Sequence, residues 1–211
     1  MPGFLTDKCA EIRNWLALGS EIYPDAVVTT WIRMAEEYLS TALRVKHMVQ
    51  IDTSLITEDR VPLPRDWQEI RLVRLLPAKS VLRYQTPDGF FNPEFPEDPD
   101  SDLPGQQKRY TIIGNYLYVA ATLEFPLTVE MSYYQDIPPL TDELNNWANY
   151  YHPTVYTLKI LHVAALYSID DERSLLWDKE VTRSVGEMNK AHLIDKASGS
   201  VLGFTRRKTF G

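Results

Sequence analysis

The chain contains four histidines, which are the side chains best suited to bind a metal ion or carry a proton near neutral pH: His47, His152, His162 and His192. No two of them form an HExxH pair, the spacing that puts two ligands on one helix face. None stands beside a candidate nucleophile in the sequence. His162 and His192 fall on the apolar faces of predicted helices, so we interpret both as packed core residues. The pattern predicts no catalytic residue, no metal site and no cofactor.

Three aspartates, Asp98, Asp100 and Asp102, match the first three ligand spacings of a calcium-binding loop. The match fails further on. Leu103 occupies the sixth position, where such a loop needs glycine, and Arg109 occupies the twelfth, where it needs glutamate. We interpret this stretch as a solvated acidic loop.

Carboxylates also cluster in the run Asp170-Asp171-Glu172, at the start of a predicted helix. Helix capping and the helix dipole explain acidic residues there without any catalytic role. The sequence has no phosphate-binding glycine loop, serine elbow or CxxC motif. Its single cysteine, Cys9, lies on an apolar stripe and is predicted to be a small core residue.

The C-terminal residues concentrate positive charge between two aromatic side chains: Phe204, Arg206, Arg207, Lys208 and Phe210. Two interpretations stay open. The segment is either a solvated, disordered end, as most termini are, or a segment that folds on binding, with its cations on acidic groups and its phenylalanines in pockets.

Composition excludes several classes of protein. The 211 residues are 44% hydrophobic and 24% charged, which is typical of a globular chain with a real core. A net charge of −7 argues against a sequence-independent DNA binder, because phosphate contacts need clustered cations. The N-terminus lacks the features of a signal peptide, and no apolar run approaches the length of a membrane span. We expect a soluble protein of a cytoplasm or a particle.

Hydrophobic periodicity predicts four helices, at residues 5–18, 24–43, 153–169 and 171–193. Thr6 is the expected N-cap of the first helix, and Gly19 is the glycine expected just past its end. Asp171 or a neighbour is expected to cap the fourth. Residues 1–44 and 136–195 together should form a four-helix bundle.

Between the helices, residues 45–135 read as a small inserted antiparallel sheet or sandwich. Alternation begins a strand at Val45, and Gly114-Asn115 between two alternating runs predicts a β-hairpin. The proline-rich, acidic stretch 87–108 is predicted to be an exposed, mobile loop, and 196–211 an extended tail. The fold class is therefore α+β.

A structural joint is predicted where the inserted β region returns the chain to the helices. Its residues are Tyr133, Tyr134, Pro138, Pro139 and Trp147. A strand ends at the tyrosines, and the proline pair has fixed backbone angles that turn the chain before the next helix. We expect this joint to have a structural role and no catalytic one.

Five motifs follow one another along the chain: Arg60–Trp67, Tyr110–Leu117, Tyr133–Leu140, Trp147–Pro153, and Asp170-Asp171-Glu172-Arg173 ahead of Trp177. In this order they resemble the head-to-tail adaptor, or connector, proteins of tailed bacteriophages. The resemblance covers about residues 20–195 and consists of order and spacing, with no catalytic core.

The resemblance implies a non-enzymatic virion protein at the junction of capsid and tail, assembled in the host cytoplasm. Such adaptors form a ring, usually of twelve copies, beneath the portal. Their C-terminal segment commonly reaches into the portal, a role that Phe204 to Phe210 would match. The implied partners are the portal protein, neighbouring copies, a tail or nozzle protein, fibres, and DNA that passes through an acidic channel without specific binding. No membrane partner is implied.

Two other functions were weighed against the adaptor, and each has a requirement that can be tested. A phage-tail hydrolase acting on peptidoglycan would need two carboxyl groups roughly 5–10 Å apart across a cleft. A DNA-binding module would need a basic patch that the composition does not provide.

Overall fold

The protein is α+β, with six helices and two four-stranded sheets among the residues that the structure describes. It divides into two compact units: a helical unit of Met1–His47 with Ile137–Gly211, and a β unit of Met48–Asp136. A computed structural model of the chain describes residues 3–17, 21–76, 79–91, 109–120 and 126–198.

The helical unit is built around α5. Its helices are α1 (Phe4–Leu16), α2 (Asp25–Ala42), α4 (Trp147–Tyr151), α5 (Pro153–Tyr167) and α6 (Asp171–Ser198). Pro153 begins α5, a position where its missing N–H costs nothing. Ten of the fifteen α5 residues are buried, because α1, α2 and α6 all pack against it.

Large apolar side chains fill the centre of this unit. Trp31, Ile32, Tyr156 and Ile160 are almost completely buried. The Trp31 ring packs against Tyr23 and Tyr167, with ring centroids 4.9 and 5.4 Å away; the other fully buried side chains include Ile12, Val28 and Leu39. Burying each such side chain contributes about 1.5–3 kcal/mol.

The predicted cap of α1 was wrong. The helix begins at Phe4, and Thr6 lies inside its first turn. The side chain of Asp142 performs the capping, since its Oδ1 accepts hydrogen bonds from the Thr6 backbone N–H at 2.8 Å and from the Thr6 hydroxyl at 2.9 Å. At the other end, the left-handed residue is Ala17 and not glycine; Gly19 lies outside the described residues.

The turn between α5 and α6 carries an unusual isoleucine. The backbone N–H of Ile169 donates to Leu166, and that of Asp170 donates to Ala165, which is the Schellman pattern of a helix end. The left-handed position of this motif usually holds glycine, yet here Ile169 adopts it with φ 57°. Asp170 also caps α6, accepting from the Arg173 N–H at 3.1 Å, so the prediction of a cap at Asp171 or a neighbour is confirmed.

The β unit contains two sheets with the strand orders β1-β8-β3-β4 and β2-β7-β6-β5. The strands are β1 (Val49–Ile56), β2 (Arg60–Pro62), β3 (Trp67–Leu76), β4 (Ser80–Val81), β5 (Arg83–Tyr84), β6 (Arg109–Ile113), β7 (Tyr116–Val119) and β8 (Leu127–Gln135). Both sheets supply side chains to one buried cluster, which includes Ile56, Val73, Leu117, Val119, Val129 and Met131.

Three details of the β region differ from prediction. No strand begins at Val45: Lys46–Met48 form a short 3-10 helix, whose three-residue turn buries both Val45 and Met48. The β5–β6 pair is parallel, so the unit is not wholly antiparallel. The predicted loop 87–108 begins with a short helix, α3 (Pro87–Phe91), and the Phe91 ring makes an edge contact with Tyr118. Asp98, Asp100 and Asp102 lie outside the described residues.

The predicted hairpin is confirmed. β6 and β7 pair antiparallel with Ile113 opposite Tyr116, and Gly114-Asn115 makes the turn. Gly114 has φ 59°, and a Cβ added there would meet nothing within 4 Å. Only backbone strain therefore opposes a side chain at this position.

We expect Gly114→Ala to destabilise the protein by about 1 kcal/mol, the cost of a left-handed conformation for an L-residue. Gly186→Ala is the matched control, since Gly186 lies within α6, has no positive φ, and also leaves room for a Cβ. It should raise stability by about 0.5–1 kcal/mol. Thermal unfolding monitored by circular dichroism measures both, and shifts of the same sign would contradict the backbone explanation.

Candidate functional site

The residues predicted to bind the portal lie outside the described part of the chain. The structure bears on their attachment: α6 continues to Ser198, so residues 196–198 of the predicted tail are helical. Asn189 fixes this helix to the end of α2, donating from Nδ2 to the Ala42 carbonyl at 2.9 Å and accepting from the Arg44 N–H at 2.7 Å. The predicted portal contacts stay a prediction.

The two tyrosines of the predicted joint are buried in β8. The Tyr133 hydroxyl donates to Asp66 Oδ1 at 3.3 Å, and burial together with the Asp66 charge raises the pKa of Tyr133 to about 12. The Arg71 guanidinium lies 5.2 Å from the Tyr134 ring centroid. These contacts hold the end of β8 within the β unit.

The segment after β8 is attached to α2 by its backbone. The Ile137 N–H donates to Ser40 Oγ at 2.9 Å, and the Leu140 N–H donates to Glu36 Oε1 at 2.8 Å. Arg33 donates to the Leu140 carbonyl at 2.9 Å. Pro138 and Pro139 thus lie between two anchored residues, but a role in setting an angle stays a prediction.

Glu36 is the centre of a buried polar network that sequence reasoning missed. Glu36 is 4% exposed, and its Oε1 accepts hydrogen bonds from Asn146 Nδ2 at 2.8 Å and the Tyr156 hydroxyl at 2.7 Å, besides the Leu140 N–H. Arg33 pairs with its second oxygen at 2.8 Å. Burial and the nearby Glu36 charge raise the pKa of Tyr156. The sequence does place the Glu36 carboxylate beside the apolar stripe of α2, which indicates a buried charge that needs partners.

Trp147, the last predicted joint residue, begins α4. Asn146 caps that helix, accepting from the Asn149 N–H at 2.8 Å. The Trp147 ring makes an edge contact with His152, with centroids 6.4 Å apart. Its buried indole N–H has no hydrogen-bond partner among the described residues. The tryptophan therefore acts here through packing.

Two histidines that are distant in sequence meet beside this helix. His47 Nδ1 lies 3.3 Å from His152 Nε2. Tyr151 stacks on the His47 ring, with centroids 3.9 Å apart and planes inclined by 7°. Burial lowers the pKa of both histidines, and Lys46 lowers each further. The two imidazoles therefore favour their neutral forms.

His162 lies in a second polar cluster between α5 and α6. The Lys159 ammonium donates to His162 Nδ1 at 3.1 Å and lies 3.5 Å from the Tyr38 ring centroid. Asp178 lies 3.6 Å from the same nitrogen. Burial, then the Lys159 charge, lowers the pKa of His162, and Asp178 opposes this. The prediction that His162 and His192 are packed is confirmed, since both are buried.

Acidification should weaken the fold through His162. Its pKa is lowered in the folded state, so the unfolded chain binds the proton more readily. The stabilisation that comes from neutral His162 is fully present above the ordinary histidine pKa of about 6.5 and is lost as the pH falls below that value. In denaturation measured at pH 7.5, 6.0 and 5.0, His162→Gln should lose less stability than the parent chain. Asp178→Asn should lose more, and equal losses in all three proteins would contradict this assignment.

A surface groove between α1 and α5 is the place to look for the carboxylate pair of a hydrolase. It is lined by Glu11, Trp15, Pro153, Thr154, Thr157, Leu158 and Leu161. Glu11 is its single carboxylate, and it is held by the Lys8 ammonium at 2.7 Å and by the Thr157 hydroxyl at 3.1 Å. A pair of carboxyl groups facing each other across a cleft is what a glycosidase requires, and this groove does not supply it.

Large apolar side chains are exposed at the α5–α6 turn, a surface that we call the turn patch: Leu166, Tyr167, Ile169, Leu175 and Leu176. Ile169 is 83% exposed and Leu175 74%. Large apolar side chains exposed within one short segment are common at sites of protein contact. Leu166 lies in the last turn of α5, and Ile169 lies two residues beyond its end.

Within the described ranges, no group of three or more histidine, cysteine, aspartate or glutamate side chains could hold a metal ion. Nor does any helix described there combine the length and apolar character of a membrane span. A search of curated proteins found no match to the chain. A family model described as SU10 adaptor protein matches residues 5–202.

Proposed function

The chain belongs to the SU10 adaptor protein family of phage head-to-tail adaptors, and on that basis we propose that its copies form a ring that joins the portal to the tail and extends the DNA channel. Family membership makes it a structural component of the virion that contacts portal and tail proteins. The family match over nearly the whole chain is the observation that carries the proposal. No observation favours the hydrolase.

Support for the portal contact comes from the way α6 ends. The Asn189 hydrogen bonds hold α6 to the end of α2, and α6 continues to Ser198, thirteen residues before the end of the sequence. They carry Arg206, Arg207 and Lys208 between Phe204 and Phe210. In our proposal these side chains bind the portal, with the cations on acidic groups and the phenylalanines in apolar pockets.

Support for contact between copies comes from the turn patch. Its exposed leucines and isoleucine present the apolar area that buried interfaces contain. A ring of twelve copies, each with a net charge of −7, would surround passing DNA without attracting its phosphates. A tail or nozzle protein, and fibres, would bind elsewhere on the ring.

Finer features of the architecture belong to the same proposal. We propose that the helices act as a four-helix bundle domain (residues 1–44 and 136–195), that the β region (45–135) acts as a sandwich-like inserted domain, and that the proline pair of the joint turns the chain between β8 and the next helix. Assembly takes place in the host cytoplasm, and single copies are monomers until the portal templates the ring.

Electron microscopy and analytical ultracentrifugation of the full chain, alone and mixed with a candidate portal, test the proposal. We expect a monomer alone and a ring of density on the portal after mixing. Rings that form without the portal would contradict the templating step. A portal that stays bare at saturating concentrations of the chain would contradict the adaptor function for that pair.

A further inference from the structure

The pair His47–His152 has the geometry of two ligands for one metal ion. In tetrahedral coordination two imidazole nitrogens each lie about 2.0–2.1 Å from Zn²⁺, which places them about 3.3–3.4 Å from each other. His47 Nδ1 and His152 Nε2 are 3.3 Å apart. Their rings are inclined by 58°, so they do not stack on each other.

We propose that His47 and His152 form a binding site for an exchangeable transition-metal dication, with Zn²⁺ as the representative ion and water as the remaining ligands. Imidazole nitrogen is a preferred ligand of zinc, copper and nickel. The site has two protein ligands, fewer than the four of structural zinc sites, so the ion should exchange freely. This inference does not rest on the adaptor function.

The surroundings of the pair suit this role. Both histidines are partly exposed, which leaves room for coordinated water. Both favour the neutral form that a metal requires. The groups facing the pair are Lys46 in the 3-10 helix, Tyr151 stacked on His47, and Trp147 at the edge of His152. The Lys46 charge should weaken binding, while the two aromatic rings fix the imidazoles.

A bound ion would connect two segments that are 105 residues apart in the chain. His47 belongs to the 3-10 helix just before β1, and His152 joins α4 to α5. The ion would replace one weak hydrogen bond between the rings with two metal–nitrogen bonds. Because the unfolded chain lacks this preformed pair, binding should stabilise the folded helical unit.

Isothermal titration of the full chain, without an affinity tag, with ZnCl₂ at pH 7.5 tests the site. We expect one saturable site, which His47→Gln and His152→Gln each weaken by about tenfold or more. His162→Gln is the matched control, because it also removes one imidazole but leaves the pair intact, and it should bind like the parent chain. Circular dichroism shows whether each variant is folded.

Two further readouts keep the result interpretable if one variant unfolds. Zinc should raise the thermal midpoint of the parent chain, and lowering the pH to 5.5 should weaken binding because protons compete for the same nitrogens. Absence of saturable zinc binding to the parent chain would overturn the proposal. Equal affinity in the parent chain and a folded His152→Gln variant would also overturn it.

Discussion

Glu36→Ala is expected to lower the free energy of unfolding by about 3–5 kcal/mol, the cost of breaking a buried ion pair and stranding its partners. The substitution leaves three donors without their acceptor: the Leu140 N–H, Asn146 Nδ2 and the Tyr156 hydroxyl. It also removes the carboxylate that pairs with Arg33. Urea denaturation followed by circular dichroism measures the change.

The neighbouring Glu37 provides the control for this prediction. It has the same side chain one position along α2 but is exposed. Glu37→Ala should change stability by less than about 0.5 kcal/mol, as surface substitutions usually do. Glu36→Gln, which keeps the volume and one carbonyl acceptor, should fall between the two. Similar effects for Glu36→Ala and Glu37→Ala would show that the network contributes little.

Deletion of residues 206–211 is expected to abolish portal binding and leave the fold intact. The deletion removes the three cations and Phe210, while the described elements end at Ser198. Co-sedimentation with the portal measures binding, and thermal unfolding reports on the fold. Unchanged portal binding by the truncated chain would exclude the tail as the contact.

Point substitutions separate the two kinds of contact within this tail. Neutralising Arg206, Arg207 and Lys208 to glutamine should slow association and reduce its salt dependence. Replacing Phe204 and Phe210 by alanine should mainly speed dissociation. A matched control removes three cations from the exposed surface of α6 instead, with Lys179, Arg183 and Lys190 changed to glutamine. It should leave portal binding close to that of the parent chain.

Features set by neighbouring residues could be predicted from the sequence. The hairpin could be predicted because Gly114 and Asn115 by themselves favour its two-residue turn. The cap of α6 could be predicted because Asp170 accepts from a backbone N–H only three residues away. Cys9 was predicted as a core residue because apolar residues repeat at helical spacing along α1, and it is 1% exposed.

Features that depend on distant contacts could not be predicted. Thr6 was expected to cap α1 by itself, but its partner Asp142 lies 136 residues away. Glu36 meets Tyr156 across 120 residues, and His47 meets His152 across 105. A single sequence does not identify the distant partners in such pairs, since only the packed tertiary structure brings the side chains together. The polar clusters were missed for this reason.

The left-handed backbone of Ile169 lowers the free energy of unfolding of this protein. A left-handed backbone costs an L-residue about 1–2 kcal/mol, and a β-branched side chain makes it rarer still. Since the side chain is 83% exposed, burial returns little of that energy. Ile169→Gly should therefore raise the thermal midpoint, a result that differential scanning calorimetry can check. A glycine at position 169 would thus make the isolated chain more stable than it is with isoleucine. The destabilising isoleucine lies on the turn patch, the surface that we propose meets a neighbouring copy.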